Sequence, residues 1–97
     1  MSVERLLDKH LSEAERVAAA GAVGELIAKK WPHDEAWKAA CTVVHDEKDL
    51  VQVRVAALVA ISRAPAAAIN QLVRIFRDPE RLVRKEAVRL LRAIGFA

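Results

Sequence analysis

The chain has 97 residues and a formal net charge of +3, and its hydrophobic fraction of 54% is too high for a disordered protein. Only 4% of the residues are aromatic whereas 19 are alanine, a composition typical of closely packed helices. The single cysteine excludes a disulfide framework, and every apolar run is shorter than the ~18 residues of a membrane span. With no signal-peptide core near its start, the chain is expected to be soluble and cytoplasmic.

Two helices are predicted at the start of the chain. The first covers Val3 to about His10, and the second runs from residue 13 to about Lys30. Ser12 and Glu15 form a capping-box pattern, in which the serine hydroxyl and the glutamate side chain each bond the other residue's backbone amide. The second helix contains two glycines, which destabilise a helix interior unless another helix approaches closely.

The middle of the chain predicts three more helices, separated by short breaks. Trp31-Pro32 ends the second helix, and Asp34 is predicted to cap a third helix that reaches about Val44. A charged linker follows, and Asp49 with Gln52 is predicted to form a second capping box for a helix to about Arg63. A fifth helix is expected over residues 66–77, after Ala64-Pro65.

The last helix has the clearest boundary signals. Asp78 is predicted as its N-cap, with Pro79 in the first turn, and the helix is expected to run to Ile94. Gly95 stands where a left-handed residue commonly ends a helix. The sequence thus predicts an all-α domain of five or six helices.

A repeated frame links the fourth and last predicted helices. Val53 and Val83 each begin the pattern V-R-x-x-A-x-x-[AL]-[IL], and the two copies lie 30 residues apart. An acidic turn precedes both copies. Residues 78–95 in particular resemble the HEAT-repeat family in its short bacterial form, which is also found in phycobilin-lyase-like proteins.

The resemblance implies a short α-solenoid, in which helical repeats stack into a single domain over residues 1–97. Residues 46–77 would form a repeat and residues 78–97 a C-terminal capping helix, while residues 1–45 match only as helical context, as a degenerate repeat would. In this family the turn aspartate and the arginine after the valine form a structural ladder within and between repeats. Carried over, the ladder residues are Arg54, Asp78 and Arg84.

The helical faces indicate which surface is free. On the last helix an apolar side lies opposite four cations, Arg81, Lys85, Arg89 and Arg92. The fourth helix is apolar nearly all round, so we expect it to be covered on both sides, with the glycine-containing second helix as one cover. A polar outer face on the last helix is typical of a terminal solenoid unit, which suggests that the chain ends naturally there.

Charge is unevenly distributed between the two halves of the chain. Residues 1–49 carry 7 cations and 10 anions, whereas residues 50–97 carry 9 cations and 3 anions. This asymmetry favours an anionic partner for one end or head-to-tail self-association. The family layout adds Arg74 and Arg77 of the fifth helix to the candidate partner-binding residues. The simplest interpretation of this face is a solvated basic surface that keeps the protein soluble. If the face binds a partner, we expect a protein with an acidic surface; nucleic acid is the alternative, although the chain offers few aromatic platforms for base stacking.

Catalytic chemistry has little support in the sequence. Cys41 and His45 lie on one helix at i and i+4, but no recognised spacing supplies further metal ligands, so a buried cysteine beside a capping histidine is the favoured interpretation. No cofactor, metal or catalytic residue is predicted, and the chain carries no P-loop or dinucleotide fingerprint. The predicted function is a non-catalytic protein-interaction or regulatory module. A nucleic-acid-associated role through the Arg74–Arg92 face is second, and a lyase-like accessory, by family analogy alone, is third.

Overall fold

The computed structural model describes residues 1–96, and within that range the chain is helical and contains no strand. This confirms the all-α prediction. The helices are α1 (Ser2–Leu7), α2 (Glu13–Lys29), α3 (Asp34–His45), α4 (Val51–Ile61), α5 (Pro65–Arg74) and α6 (Arg81–Ala93), and a 3₁₀ turn at Ile75–Arg77 follows α5. The helices α1 and α5 end earlier than predicted, and the 3₁₀ turn takes the place of the last turn expected for α5.

Two predicted helix termini are confirmed by their hydrogen bonds. At the start of α2 the Ser12 hydroxyl accepts the Glu15 amide, and the Glu15 carboxylate accepts the Ser12 amide in return. After α6, Gly95 adopts a left-handed φ of 83°, and its amide donates to the Arg92 carbonyl. These bonds satisfy backbone groups that the helix itself leaves unpaired.

The three predicted aspartate caps are wrong. His33 rather than Asp34 caps α3, because its Nδ1 accepts the Ala36 amide at 3.2 Å. The N-cap residues of α4 and α6 are Leu50 and Glu80, and neither makes a side-chain capping bond. Asp49 and Asp78 lie just before these caps and bind arginines instead, as described below.

The helix α4 lies at the centre of the fold, packed against α2, α3 and α6. Its contact with α2 is close because Gly24 has no side chain: a Cβ atom there would lie 3.2 Å from the Ala60 Cα atom. This agrees with the expectation that α2 covers α4. The close approach involves Gly24 only, since a Cβ atom at Gly21 would have no neighbour within 4 Å. The core is aliphatic, and Ala57 and Leu58 of α4 are fully buried within it.

Some apolar side chains lie on the surface. Val59 on α4 is 39% exposed, so the prediction that this helix is covered on both sides is only partly correct. Around α5, Leu72 is buried, whereas Val73 and Phe76 are exposed. Leu82 on α6 is also exposed, beside the predicted cationic face. These residues cluster toward the C-terminal half of the chain and bear on its candidate site.

Candidate functional site

A buried arginine of α2 is bound to an aspartate before α4. The guanidinium of Arg16 donates to the Asp49 carboxylate through two bonds, Nη1 to Oδ1 at 2.7 Å and Nη2 to Oδ2 at 2.8 Å. Its Nε atom donates to the Leu6 carbonyl at 2.9 Å. Both side chains of the ion pair are only 2% exposed. Two parallel bonds between planar groups are the strongest ion-pair geometry available to arginine.

The same arrangement recurs one helix pair further along the chain. Arg54 of α4 donates through both Nη atoms to the Asp78 carboxylate, with the Nη1 to Oδ1 bond at 3.0 Å. Its Nε atom donates to the Val44 carbonyl at 3.1 Å. In both cases the carbonyl belongs to a residue ten positions before the arginine. Each arginine therefore ties the end of one helix to the loop that precedes a later helix.

Arg84 occupies the position in α6 that Arg16 occupies in α2 and Arg54 in α4. Like Arg16 and Arg54, it stands three residues before an alanine that is buried in the core. Its side chain is half-buried, and Nη1 donates to the backbone carbonyl of Asp78 at 2.6 Å. Within residues 1–96 Arg84 forms no ion pair, so it differs from the other two arginines in having no carboxylate partner there.

The resemblance to the HEAT-repeat family implies Arg54, Asp78 and Arg84 as ladder residues, and the pair Arg16–Asp49 lies outside that prediction. A signal was present, because residues 16–19 and 54–57 both read Arg-Val-Ala-Ala, 38 residues apart. The spacing of 30 residues between the fourth and last helices does not reveal this longer period. Asp49 was interpreted as a cap because sequence alone does not show which groups compete for a carboxylate.

Burial and hydrogen bonding act in opposite directions on the pKa values of both buried aspartates. Burial would raise them, but the bonds from the arginines and from nearby backbone amides outweigh it. As a result, Asp49, bonded to Arg16 and the Leu50 amide, has a lowered pKa. The pKa of Asp78 is lowered in the same way by Arg54 and the Glu80 amide. Both carboxylates are therefore charged at neutral pH.

Acid is expected to destabilise the fold through these two aspartates. Their folded-state pKa values lie below the unfolded value of about 3.9, so the unfolded chain binds more protons as the pH falls. The stabilisation is fully present above the unfolded pKa and is lost progressively below about pH 4. The urea midpoint should be nearly constant between about pH 7 and pH 5 and should fall on further acidification.

An Asp78→Asn variant provides the control for this acid sensitivity. It is expected to be less stable at neutral pH but to lose less stability between neutral and acidic pH, because one titrating pair is absent. Glu15, whose pKa is lowered by its bonds to Ser12, contributes to the acid trend in both proteins. A urea midpoint as high at about pH 3 as at neutral pH would contradict this account of the buried pairs.

The predicted cations of α6 form an exposed stripe, which we call the basic stripe: Arg81, Lys85, Arg89 and Arg92. Arg89 is bound to Glu86 one turn earlier, with Nε donating to Oε1 at 2.9 Å, so part of its charge is neutralised. Within residues 1–96 the other three form no ion pair. The stripe thus presents three cations without a carboxylate partner among the described residues.

Two clefts border the basic stripe. The side cleft lies between α4 and α6, where Val55 and Leu82 are among the residues that line it, together with Lys85, Arg89 and Arg92. The end cleft is lined by Phe76, Arg81, Arg84, Lys85 and Val88. Both combine apolar surface with cationic side chains, and Glu86 also lines the side cleft.

The other two predicted partner-binding arginines lie apart from these clefts. Arg74, at the end of α5, is close enough to Cys41 on α3 to influence the thiol electrostatically. Arg77 is exposed on the 3₁₀ turn. Neither lines the side cleft or the end cleft, so the structure brings together the four stripe cations and Arg84 but not Arg74 and Arg77.

Cys41 and His45 are not arranged as a nucleophile or a metal site. Burial raises the pKa of the Cys41 thiol to about 11, which keeps it protonated at neutral pH. The Nε2 atom of His45 lies 2.6 Å from the Gln71 Oε1 atom. Residues 1–96 contain no group of three or more side chains placed to hold a metal ion.

Comparisons with known proteins identify no relative of this chain. No family model, curated protein or solved structure matches this chain. None of the helices described over residues 1–96 combines the length and the apolar character needed to cross a membrane.

Proposed function

We propose that the chain is a non-catalytic protein-interaction module built from HEAT-like helical repeats, and that its basic stripe binds an acidic protein surface. The observation that carries the proposal is the exposed face of α6, where Arg81, Lys85 and Arg92 lie beside apolar clefts and have no carboxylate partner within residues 1–96. Opposite charge on a partner increases the association rate and fixes orientation, while apolar contact in the clefts supplies affinity.

The recurrent arginine–aspartate pairs support the solenoid part of the proposal. Arg16–Asp49 and Arg54–Asp78 connect successive helix pairs by the same bonds, as expected of stacked units in which each contacts its neighbours. In such arrays the exposed surface of the outer helices is available for binding, because the repeats stabilise one another through their inner faces. We also propose that the chain acts in the cytoplasm.

Nucleic acid is the second candidate partner, and one observation favours it. Phe76 is 47% exposed and lies in the end cleft with Arg81 and Arg84, where an unpaired base could stack on its ring beside phosphate-binding cations. A single ring offers a limited stacking platform, and no glycine-rich loop adjoins it. The acidic protein surface therefore ranks first.

Binding to two probes distinguishes these candidates. We expect a glutamate-rich amphipathic helical peptide to bind the chain with an affinity that falls as salt rises, since the contact is largely electrostatic. A short DNA duplex and a short single-stranded oligonucleotide, which offers unpaired bases to Phe76, should both show no measurable binding near physiological salt. A double variant, Lys85→Ser with Arg92→Ser, should weaken peptide binding by about tenfold or more. Folding should be nearly unaffected, because both side chains are exposed.

The matched control is Lys30→Ser with Lys38→Ser, which removes the same charge from exposed positions outside α6. It should bind the peptide like the original chain. Micromolar binding to either nucleic acid that is much weaker in the Lys85/Arg92 variant would establish the nucleic-acid candidate instead; for the duplex, the salt slope of the variant should then be smaller by about 2. Equal peptide binding by both double variants would contradict a role for the basic stripe.

A further inference from the structure

We propose that the end cleft binds a phosphorylated side chain of a partner protein, with Arg81, Arg84 and Lys85 holding the phosphate monoester. This inference rests on the proposed function, because it names the chemical group through which an acidic partner would bind α6. It assigns that group to the end cleft rather than to the side cleft.

The end cleft is lined by cations without any carboxylate among them. Three of its five lining residues, Arg81, Arg84 and Lys85, stand at positions i, i+3 and i+4 of α6, which places them on one face of the helix. The side cleft differs, because Glu86 lines it beside its cations. The end cleft therefore concentrates positive charge more strongly than the rest of the basic stripe.

The carboxylates nearest to this cluster in the sequence do not neutralise it. Asp78 is bound through both of its oxygens by Arg54, and Glu86 is bound by Arg89. Glu80 stands just before α6 and forms no ion pair within residues 1–96. The three cations of the end cleft likewise have no carboxylate partner in that range, so their charge is available to an external anion.

The same cluster is unfavourable for the helix that carries it. The first turn of α6 contains no acidic residue, and no side chain caps it. Cations near this end oppose the helix dipole, and like charges three and four residues apart repel one another. Features that cost local stability are expected at functional sites, and a bound anion would relieve both costs.

A phosphate monoester suits the cluster better than other anionic groups. It carries about −1.5 to −2 charges at neutral pH and offers three acceptor oxygens, whereas a carboxylate or a nucleic-acid phosphodiester carries a single charge. Arg84 is half-buried and is held through Nη1 by the Asp78 carbonyl at 2.6 Å, which leaves Nε and Nη2 for the phosphate. Arg81 and Lys85 are exposed and can bind its remaining oxygens.

The form of the cleft favours a phosphate that is carried by a protein. The cleft is open to solvent, whereas a small free ligand is usually enclosed on most sides. Phe76 is 47% exposed at its edge, and Val88 contributes further apolar surface. An apolar residue next to the phosphorylated side chain would cover this surface, which a bare phosphate ion leaves in contact with water.

Titration calorimetry with matched probes tests the proposal. The first probe is a short peptide with one phosphoserine next to a leucine, and the comparisons are the same peptide with serine or glutamate at that position. We expect the phosphopeptide to bind at least about tenfold more tightly than the glutamate form. Inorganic phosphate alone should bind at least about tenfold more weakly than the phosphopeptide, because it makes no apolar contact.

Acidification provides a second readout for the same peptides. The second pKa of a phosphate monoester is about 6, so affinity for the phosphopeptide should fall by about threefold or more between about pH 7.5 and about pH 5.5. The glutamate form should bind equally at both values, since glutamate titrates near 4.3. The charged residues that line the cleft are arginine and lysine, which do not titrate in this range, and none of the three histidines lines it.

Single variants locate the site on α6. Arg81→Gln and Arg84→Gln should each weaken phosphopeptide binding by about tenfold or more. Arg84→Gln also removes the bond to the Asp78 carbonyl, whereas Arg81 is exposed and forms no ion pair within residues 1–96, so Arg81→Gln tests the site without disturbing the fold. The matched control is Arg92→Gln, which lines the side cleft but not the end cleft.

The control position is distant from the proposed site on the same helix. Arg92 lies about 16 Å beyond Arg81 along the axis, at about 1.5 Å per residue, and this exceeds the Debye length of about 8 Å at physiological salt. Arg92→Gln should therefore bind the phosphopeptide within about twofold of the original chain.

Four results would overturn the inference. One is a phosphopeptide that binds no more tightly than its glutamate form; if the glutamate-rich helical peptide still binds through Lys85 and Arg92, the proposed function stands and only the phosphate site fails. Another is equal weakening by Arg81→Gln and Arg92→Gln. The third is inorganic phosphate that binds as tightly as the phosphopeptide, which would remove the need for a protein carrier. The fourth is a single-stranded oligonucleotide that binds more tightly than the phosphopeptide, which would assign the cleft to phosphodiesters.

Discussion

Replacing Arg54 with methionine is expected to lower the free energy of unfolding by about 3–5 kcal/mol, because the Asp78 carboxylate is then left buried without its counter-charge. Both side chains are at least 96% buried, so water cannot take the place of the guanidinium without local rearrangement. The Val44 carbonyl also loses the donors that Arg54 supplies. A domain of this size is typically stable by only about 5–15 kcal/mol, so urea denaturation should show a much lower midpoint.

A second substitution separates the buried charge from the lost packing. In Arg54→Met with Asp78→Asn, the neutral amide keeps an oxygen that can accept the Glu80 amide, and no uncompensated charge remains. We expect the double variant to be more stable than Arg54→Met alone. Arg63→Met is the matched control, since Arg63 pairs with Glu25 at an exposed surface, where ion pairs contribute little. A midpoint for Arg54→Met no lower than that of Arg63→Met would contradict the structural role of the pair.

Local signals in the sequence were sufficient for the fold class and for several termini. Alanine-rich segments with a period of 3.6 residues predicted helices, and the capping box at Ser12 and the left-handed Gly95 are confirmed because both depend on bonds within a few residues. The prediction that Asp49 and Asp78 cap helices failed for the opposite reason. Each carboxylate has a buried arginine as an alternative partner, from a helix 33 or 24 residues earlier in the chain.

In the candidate site, too, features that lie within one helix were predictable from the sequence, whereas features that depend on two helices were not. The alternation of apolar and cationic residues on α6 predicted its exposed basic stripe, because both faces belong to one helix. The pairing of Arg89 with Glu86 is also a local contact, but a helical face pattern does not show which cations pair with a carboxylate. The clefts beside the stripe depend on the spacing between α4 and α6 and on the exposure of Phe76 and Leu82. Periodicity within one helix does not determine either quantity.

Replacement by leucine should have opposite effects on stability at the two glycines of α2, Gly21 and Gly24. An alanine at Gly21 would project into open space, so Gly21→Ala should stabilise the protein by about 0.5–1 kcal/mol through its higher helix propensity. A leucine at Gly24 would place its Cβ atom 3.2 Å from the Ala60 Cα atom and its remaining atoms inside the contact between α2 and α4. Because the neighbouring atom belongs to a helix backbone, the two helices would have to separate.

We therefore expect Gly24→Leu to destabilise the protein by about 1–3 kcal/mol, the range typical of overpacked cores, although leucine is itself the better helix former. Gly21→Leu is the matched control, with the same change of residue on the same helix and no close neighbour. Urea denaturation of the two leucine variants should give midpoints on opposite sides of the original value, because propensity acts alone at Gly21 and is outweighed by crowding at Gly24. If both leucine variants raised the midpoint, α2 and α4 would have to lie farther apart than the contact between Gly24 and Ala60 allows.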